Sequence, residues 1–148
     1  MKTFTILGAG WLGFELAKAL KTKYKIKVSS RNNEKQKMYE DEGLSSYILN
    51  ENDLDSLEQL LDTNYLFINY PPSKFENYLS FLEKIYSHKK IKDITDDIVD
   101  KSLFLNHLEE KLKEKGVDVR SENTKVVATG YGRIAVEFAD YVITEITC

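Results

Sequence analysis

Apolar positions recur along the chain with two different periods, and the switches between them mark out strands and helices. Thr3-Phe4-Thr5-Ile6-Leu7 is a short β-rich run that stops at Gly8. From Trp11 to Leu20 the spacing turns helical, with Leu12, Leu16, Ala19 and Leu20 on one face. Tyr24 to Val28 alternates and predicts a second strand, while Asn33 to Glu42 is polar and helix-forming, with Gly43 as its C-cap. Ser45 to Leu49 predicts a third strand, after which Asn52 or Asp53 caps a helix carrying Leu54, Leu57, Leu60 and Leu61. Tyr65 to Ile68 is continuously apolar, as in strands buried on both faces of a parallel sheet. Pro71-Pro72 ends that strand, and Ser73 with Glu76 spells a capping box. The helix it opens places Phe75, Tyr78, Leu79, Leu82, Ile85 and Tyr86 on one stripe.

Beyond His88 the pattern changes. Ile91 to Thr95 predicts a further short strand, and Asp96 or Asp97 opens a long helix with Ile98, Ser102, Leu105, Leu108 and Leu112 inside, closed by Gly116. Lys125 to Thr129 is another strand candidate, followed by Gly130-Tyr131-Gly132 and an apolar tail, Ile134 to Cys148. The alternation of strand and helix predicts an α/β, Rossmann-like, doubly wound sheet, mostly parallel, with helices on both faces. The seam near residues 90–96 divides the chain into a unit over 1–92 and an α/β extension over 93–148, packed on the same sheet.

Composition narrows the class without changing the fold. Apolar residues make up 42% and aromatic ones 11% of 148 residues, which is ordinary for a globular domain. The 21 basic and 24 acidic residues leave a net charge of −3, which gives no reason to expect nucleic acid or a membrane as partner. No apolar run approaches the roughly 18 residues of a membrane span, and no secretory leader pattern opens the chain. Cys148 is the only cysteine, so no intrachain disulfide forms, and the expected location is a reducing cytoplasm.

The chemistry concentrates in Gly8-Ala9-Gly10-Trp11-Leu12-Gly13, a G-x-G-x-x-G placed between a strand and a helix with a second strand following. Gly8 permits the tight turn, Gly10 lets backbone approach a pyrophosphate, and Gly13 allows close helix–strand packing. The helix N-terminus offers unpaired N–H groups to the phosphates. The competing reading is a glycine turn in a doubly wound protein without a ligand. NAD-binding versions end the second strand in an acid that holds the ribose 2′-OH. Here the strand runs into Ser29-Ser30-Arg31, with Lys35 nearby and no acid before Glu34. Hydroxyls and a guanidinium suit a 2′-phosphate, so NADP(H) is expected ahead of NAD(H), with Pro71 and Pro72 lining the crevice.

Residues 1–92 resemble the NAD(P)-binding half of the extended short-chain dehydrogenase/NAD-dependent epimerase family. The residues that carry this are Ile6-Leu7 with the glycine turn, Ser29-Ser30-Arg31, and Phe67-Ile68-Asn69-Tyr70-Pro71-Pro72-Ser73. The resemblance implies a Rossmann sheet and oxidation, reduction or epimerisation of sugars and related alcohols. The family's catalytic Tyr-x-x-x-Lys follows its fifth strand. Tyr86 to Lys90 matches the spelling but precedes that strand, on the buried stripe of the preceding helix, and is read as packing. Without the family's substrate domain, the expectation is an oxidoreductase/epimerase-like protein, truncated and inactive alone. The alternative is a non-catalytic nucleotide-binding or assembly module, and an apolar surface left uncovered in either case favours a homo-oligomer.

Residues from about 96 to 148 resemble a fragment of the 2-hydroxyacyl-CoA dehydratase activator ATPases. Val126 to Arg133 and Phe138 to Cys148 carry this likeness. It implies a natural or constructed fusion, and a weaker reading as a remnant ATPase acting with a dehydratase. One terminal cysteine does not supply that family's iron–sulfur ligands. His88 and His107 have no partners at metal-ligand spacing, so no metal is expected.

Overall fold

In the computed structural model the described residues are 1–70, 75–94 and 96–100, with Glu110 and Glu114 besides. The order is β1 (Thr3–Leu7), α1 (Trp11–Leu20), β2 (Lys25–Ser30), α2 (Asn33–Asp41), β3 (Ser45–Ile48), α3 (Leu57–Leu61), β4 (Tyr65–Ile68), α4 (Tyr78–Tyr86), a 3-10 segment (Lys89–Asp93) and β5 (Asp97–Asp100). The five described strands pair in the order β3-β2-β1-β4-β5, all parallel. That is a Rossmann-like sheet, and its order reverses between β1 and β4.

Side-chain alternation explains why both faces are covered. On β1 and β4, Phe4, Ile6, Tyr65 and Phe67 enter one core with Leu16, Ala17 and Leu20 of α1 and Tyr39 of α2. Leu7, Leu66 and Ile68 point the other way, into a second core with Leu57, Leu60 and Leu61 of α3 and Phe81 and Ile85 of α4. Each such large side chain contributes about 1.5–3 kcal/mol by leaving water, which is why β4 is apolar throughout and the inward positions of β1 are mostly apolar. Gly43 takes a left-handed φ of 82° behind α2, as expected of its C-cap. Lys27 reaches from β2 to the end of α3, where its Nζ donates to the carbonyls of Gln59 and Asp62 at 2.8 Å each. Burial lowers the pKa of that amine. Among the described residues no helix is long and apolar enough to cross a membrane.

Several elements depart from the periodicity. β2 continues past Val28 to Ser30, because Ser29 and Ser30 still pair with Tyr47 and Ile48 of β3. α3 starts at Leu57, not after Asn52 or Asp53. Those residues instead form a turn, in which Asn50 and Asp53 exchange backbone bonds and the side chains of Asn50 and Asp53 accept from the amides of Asn52 and Asp55. Such local bonds compete with helix. α4 is capped by Asn77, whose Oδ1 accepts from the Ser80 amide at 3.1 Å, so Glu76 precedes the helix; Ser73 of the expected capping box lies outside the described residues. Leu79 and Tyr86 lie on its exposed side, and only Phe81 and Ile85 are fully buried.

The fifth strand is also displaced. Ile91 lies within a 3-10 segment and Ile94 follows it; His88 caps the segment, its Nδ1 accepting from the Lys90 amide. The strand is Asp97–Asp100, in register with Tyr65 to Ile68. The acids at 96 and 97 therefore open no helix. Asp96 pairs with Lys2 at 2.8 Å, and the β-branched Ile98-Val99 satisfies the open edge of β4. Hydrogen bonding into the first sheet thus continues beyond residue 92. Gly116, the strand candidate at 125–129, the Gly130-Tyr131-Gly132 turn, His107 and Cys148 lie outside the described residues.

Candidate functional site

A cleft of about 620 Å³ opens at the carboxyl ends of β1, β2 and β4, beside the point where strand order reverses. Open α/β sheets place their ligands at this point, and the volume is within the range of small-molecule sites. Gly8, Gly10 and Leu12 line it on one side, Ser29, Ser30, Arg31 and Lys35 on the second, and Asn69, Tyr70 and Phe75 on the third.

The three glycines have different reasons to be glycine. Gly8 adopts a φ of 82°, and a Cβ there would stand 2.7 Å from Cδ1 of Tyr70. A Cβ on Gly13 would meet Asn69 Nδ2 and Ile6 Cγ2 at 3.1 Å. Both are explained by the protein's own packing. Gly10 is not: its φ of −77° suits any residue, and a Cβ there would meet nothing within 4 Å. It stands at the N-cap of α1 with no side chain bonding to the helix end. The first amides of the helix therefore keep the donor capacity that helix geometry leaves unused.

The turn is held from below by buried polar groups. The Gly8 amide donates to Ser29 Oγ at 2.7 Å, and that oxygen shares a 3.2 Å bond with the Tyr70 hydroxyl. The Gly8 carbonyl accepts from the Gly10 amide at 2.8 Å and from Asn69 Nδ2 at 3.0 Å. The Tyr39 hydroxyl donates to the Ala9 carbonyl. Burial raises the pKa of both phenols, and at Tyr70 the bond from Ser29 only partly opposes it. The sequence reading used Asn69 and Tyr70 only as carriers of the family resemblance, and none of Asn69, Tyr70 and Tyr39 was expected at the site. The signal was present in the Asn-Tyr pair directly after a buried strand, at the height of the glycine turn.

Not every expected site residue faces the cleft with free chemistry. Ser29 is 3% exposed and engaged as above. Ser30, equally buried, bonds to Ser46 Oγ at 2.8 Å. Arg31 is exposed, its guanidinium 5.1 Å from the Phe75 ring centroid and its Nη2 3.9 Å from Glu51 Oε1. Asn32 next to it caps α2 through the Lys35 amide, which sets Lys35 on the first turn beside the cleft. The charged residues lining the cleft, among those described, are the cations Arg31 and Lys35. Phe75, placed by the sequence on an apolar stripe, lines the cleft while stacking on Phe81 at 4.7 Å. Trp11 and Leu12 supply the backbone of the first helical turn. Pro71 and Pro72 lie outside the described residues.

No protein-family model matches the chain, and no curated protein matches it. Several solved structures are similar to it. One is an imine reductase variant from Myxococcus stipitatus in complex with NAD+, 14% identical over 80% of this chain and 39% of that one, with a TM-score of 0.49. The imine reductase of the same organism in complex with NADP+ is 17% identical over 78% of this chain and 38% of that one, TM-score 0.44. An apo saccharopine dehydrogenase from Saccharomyces cerevisiae is 18% identical over 68% and 21%, TM-score 0.47. The chain spans about two fifths of the imine reductases' length. These comparisons give no support to the activator-ATPase resemblance, whose residues at 126–148 also lie outside the described ones.

Tyr86, the first residue of the Tyr-x-x-x-Lys string, is far from this cleft. It ends α4, and a helix crossing between parallel strands finishes at their amino ends. It does not continue a buried stripe, being 44% exposed.

Proposed function

We propose that this chain binds a nicotinamide dinucleotide in the cleft above β1 and β4, NADP(H) in preference to NAD(H). The observation that carries the reading is Gly10. Packing accounts for Gly8 and Gly13, whereas the bare Cα of Gly10 faces open space at an uncapped helix start. A pyrophosphate is the group that uses such a gap. Arg31 and Lys35 at the end of β2 favour a 2′-phosphate. The nucleotide is a small-molecule partner, and hydride transfer or epimerisation is the chemistry it would serve.

A second reading, a nucleotide-binding or assembly module without catalysis of its own, has one specific observation in its favour. The phenols lining the cleft, Tyr39 and Tyr70, are both hydrogen-bonded inward and held protonated by burial. Neither is presented to a substrate as an acid or base.

Fluorescence titration tests the proposal, because Trp11 is the chain's single tryptophan and lies within the glycine turn. NADPH is expected to give a saturable change, weakened about tenfold or more by Arg31→Ala, the usual scale for a hydrogen bond to a charged group. No response to either dinucleotide overturns the reading.

A further inference from the structure

Resting on that dinucleotide reading, we propose that Glu51 is a specificity-determining residue: its carboxylate holds, at the cleft's rim, the seat that a 2′-phosphate would take. Glu51 lies beyond β3, on the turn before α3, and is not among the residues that line the cleft. It nevertheless reaches the two donors at the cleft's rim. Its Oε1 is 3.9 Å from Nη2 of Arg31. Its two oxygens accept from the Glu76 amide at 3.4 and 3.3 Å, on the connection between β4 and α4. Arg31 meanwhile rests on the Phe75 ring, one residue before that amide. A carboxylate is thus held by a guanidinium and a backbone N–H, the same donor types that hold a phosphate monoester.

Three features make this an exchangeable seat instead of a fixed structural bond. The Arg31 and Glu51 side chains are 45% and 26% exposed. A half-solvated pair at 3.9 Å is weak and screened, worth at most about 1 kcal/mol. The cleft's other lining cation, Lys35, is next to Arg31 on α2 and attracts an incoming anion to the same rim. A doubly charged phosphate competes well against a single carboxylate for these donors, while a 2′-hydroxyl does not. Glu51 therefore penalises 2′-phosphate binding by competition and leaves hydroxyl-bearing dinucleotides alone.

Calorimetric titration of the full chain and of Glu51→Gln, with NADPH, NADH, 2′,5′-ADP and ADP, tests this. Glu51→Gln is expected to tighten NADPH and 2′,5′-ADP about two- to fivefold, with NADH and ADP unchanged and the gain fading as salt rises. Glu51→Ala should act in the same direction, which separates competition from loss of the Glu76 tie, since a purely structural tie would shift all four ligands together. Weaker NADH binding in Glu51→Gln would make Glu51 a ribose acceptor and overturn the proposal. Wild-type NADPH binding that neither variant alters overturns the seat alone. Wild-type protein that binds none of the four ligands overturns the dinucleotide reading and this inference with it.

Discussion

The two sides of the cleft are built on opposite plans. Beneath the glycine turn the supporting groups are tied together: Gly8 exchanges bonds with Ser29, Asn69 and Gly10, and the Tyr70 and Tyr39 hydroxyls close the layer. Across the cleft, the Arg31 and Glu51 side chains at the rim are partly solvated and meet in a loose ion pair, with the guanidinium resting on the Phe75 ring. A buried network of satisfied donors holds a single arrangement, whereas exposed pairs are easily exchanged. The contrast teaches where each property of a nucleotide site is kept. On the proposed reading, the buried side would set the phosphate geometry and the rim would choose among ligands.

Gly8→Ala breaks the rigid side with the largest effect. The new Cβ would carry a left-handed φ and stand 2.7 Å from Tyr70 and 3.0 Å from the Asn69 backbone. The conformational cost of about 1–2 kcal/mol and an overpacking cost of about 1–3 kcal/mol together give about 3 kcal/mol, read as a lower urea midpoint. Gly10→Ala sharpens the comparison, because it adds the same methyl where nothing lies within 4 Å. Its stability loss should be no more than about 1 kcal/mol, the scale of a changed N-cap. Its NADPH binding should nonetheless collapse, since the methyl fills the phosphate's approach. If Gly10→Ala binds as tightly as wild type, the gap at Gly10 has no ligand to explain it. Arg31→Ala is the matching cut on the rim, and it should weaken NADPH while leaving the urea midpoint nearly unmoved.

The sequence made the rigid side's backbone legible and its side-chain supports illegible. Glycine spacing announces a turn because few residues tolerate Gly8's φ, and the 3.6-residue stripe announces α1. The same sequence does not say that Ser29 faces inward to the Gly8 amide, because that depends on β2 running two residues past Val28 and on its register with β1. Ser29 and Ser30 therefore read as phosphate ligands, though both hydroxyls are engaged within the sheet. The error at β5 has the same origin. Acids flanking Ile98-Val99 look like a helix start in isolation, and only the open edge of β4 makes them a strand. The link between Glu51 and Arg31 joins two loops across β2 and β3, a distance no periodicity measures.

Tyr70 tests how far the buried network itself contributes, and its effect is the smallest. Tyr70→Phe removes the hydroxyl bonded to Ser29 and keeps the ring that packs edge-on against Phe75 and Phe81. At neutral pH the expected loss is about 1 kcal/mol, one buried hydrogen bond. The pH dependence carries the sharper sign. Burial holds the Tyr70 phenol above the ordinary tyrosine range, so the folded state favours the protonated form. Its contribution to stability is complete below about pH 10, the unfolded value, and declines as pH rises beyond it. Urea unfolding at neutral pH and again above pH 10 should therefore show wild type ahead at first and the gap to Tyr70→Phe narrowing with alkalinity. Tyr39, raised in the same direction by burial, stays in both proteins and cancels from the difference. A constant gap across that range would mean that Tyr70 ionises as freely in the folded chain as in the unfolded one. The floor beneath the glycine turn would then be open to water and not the sealed layer that sets the phosphate geometry.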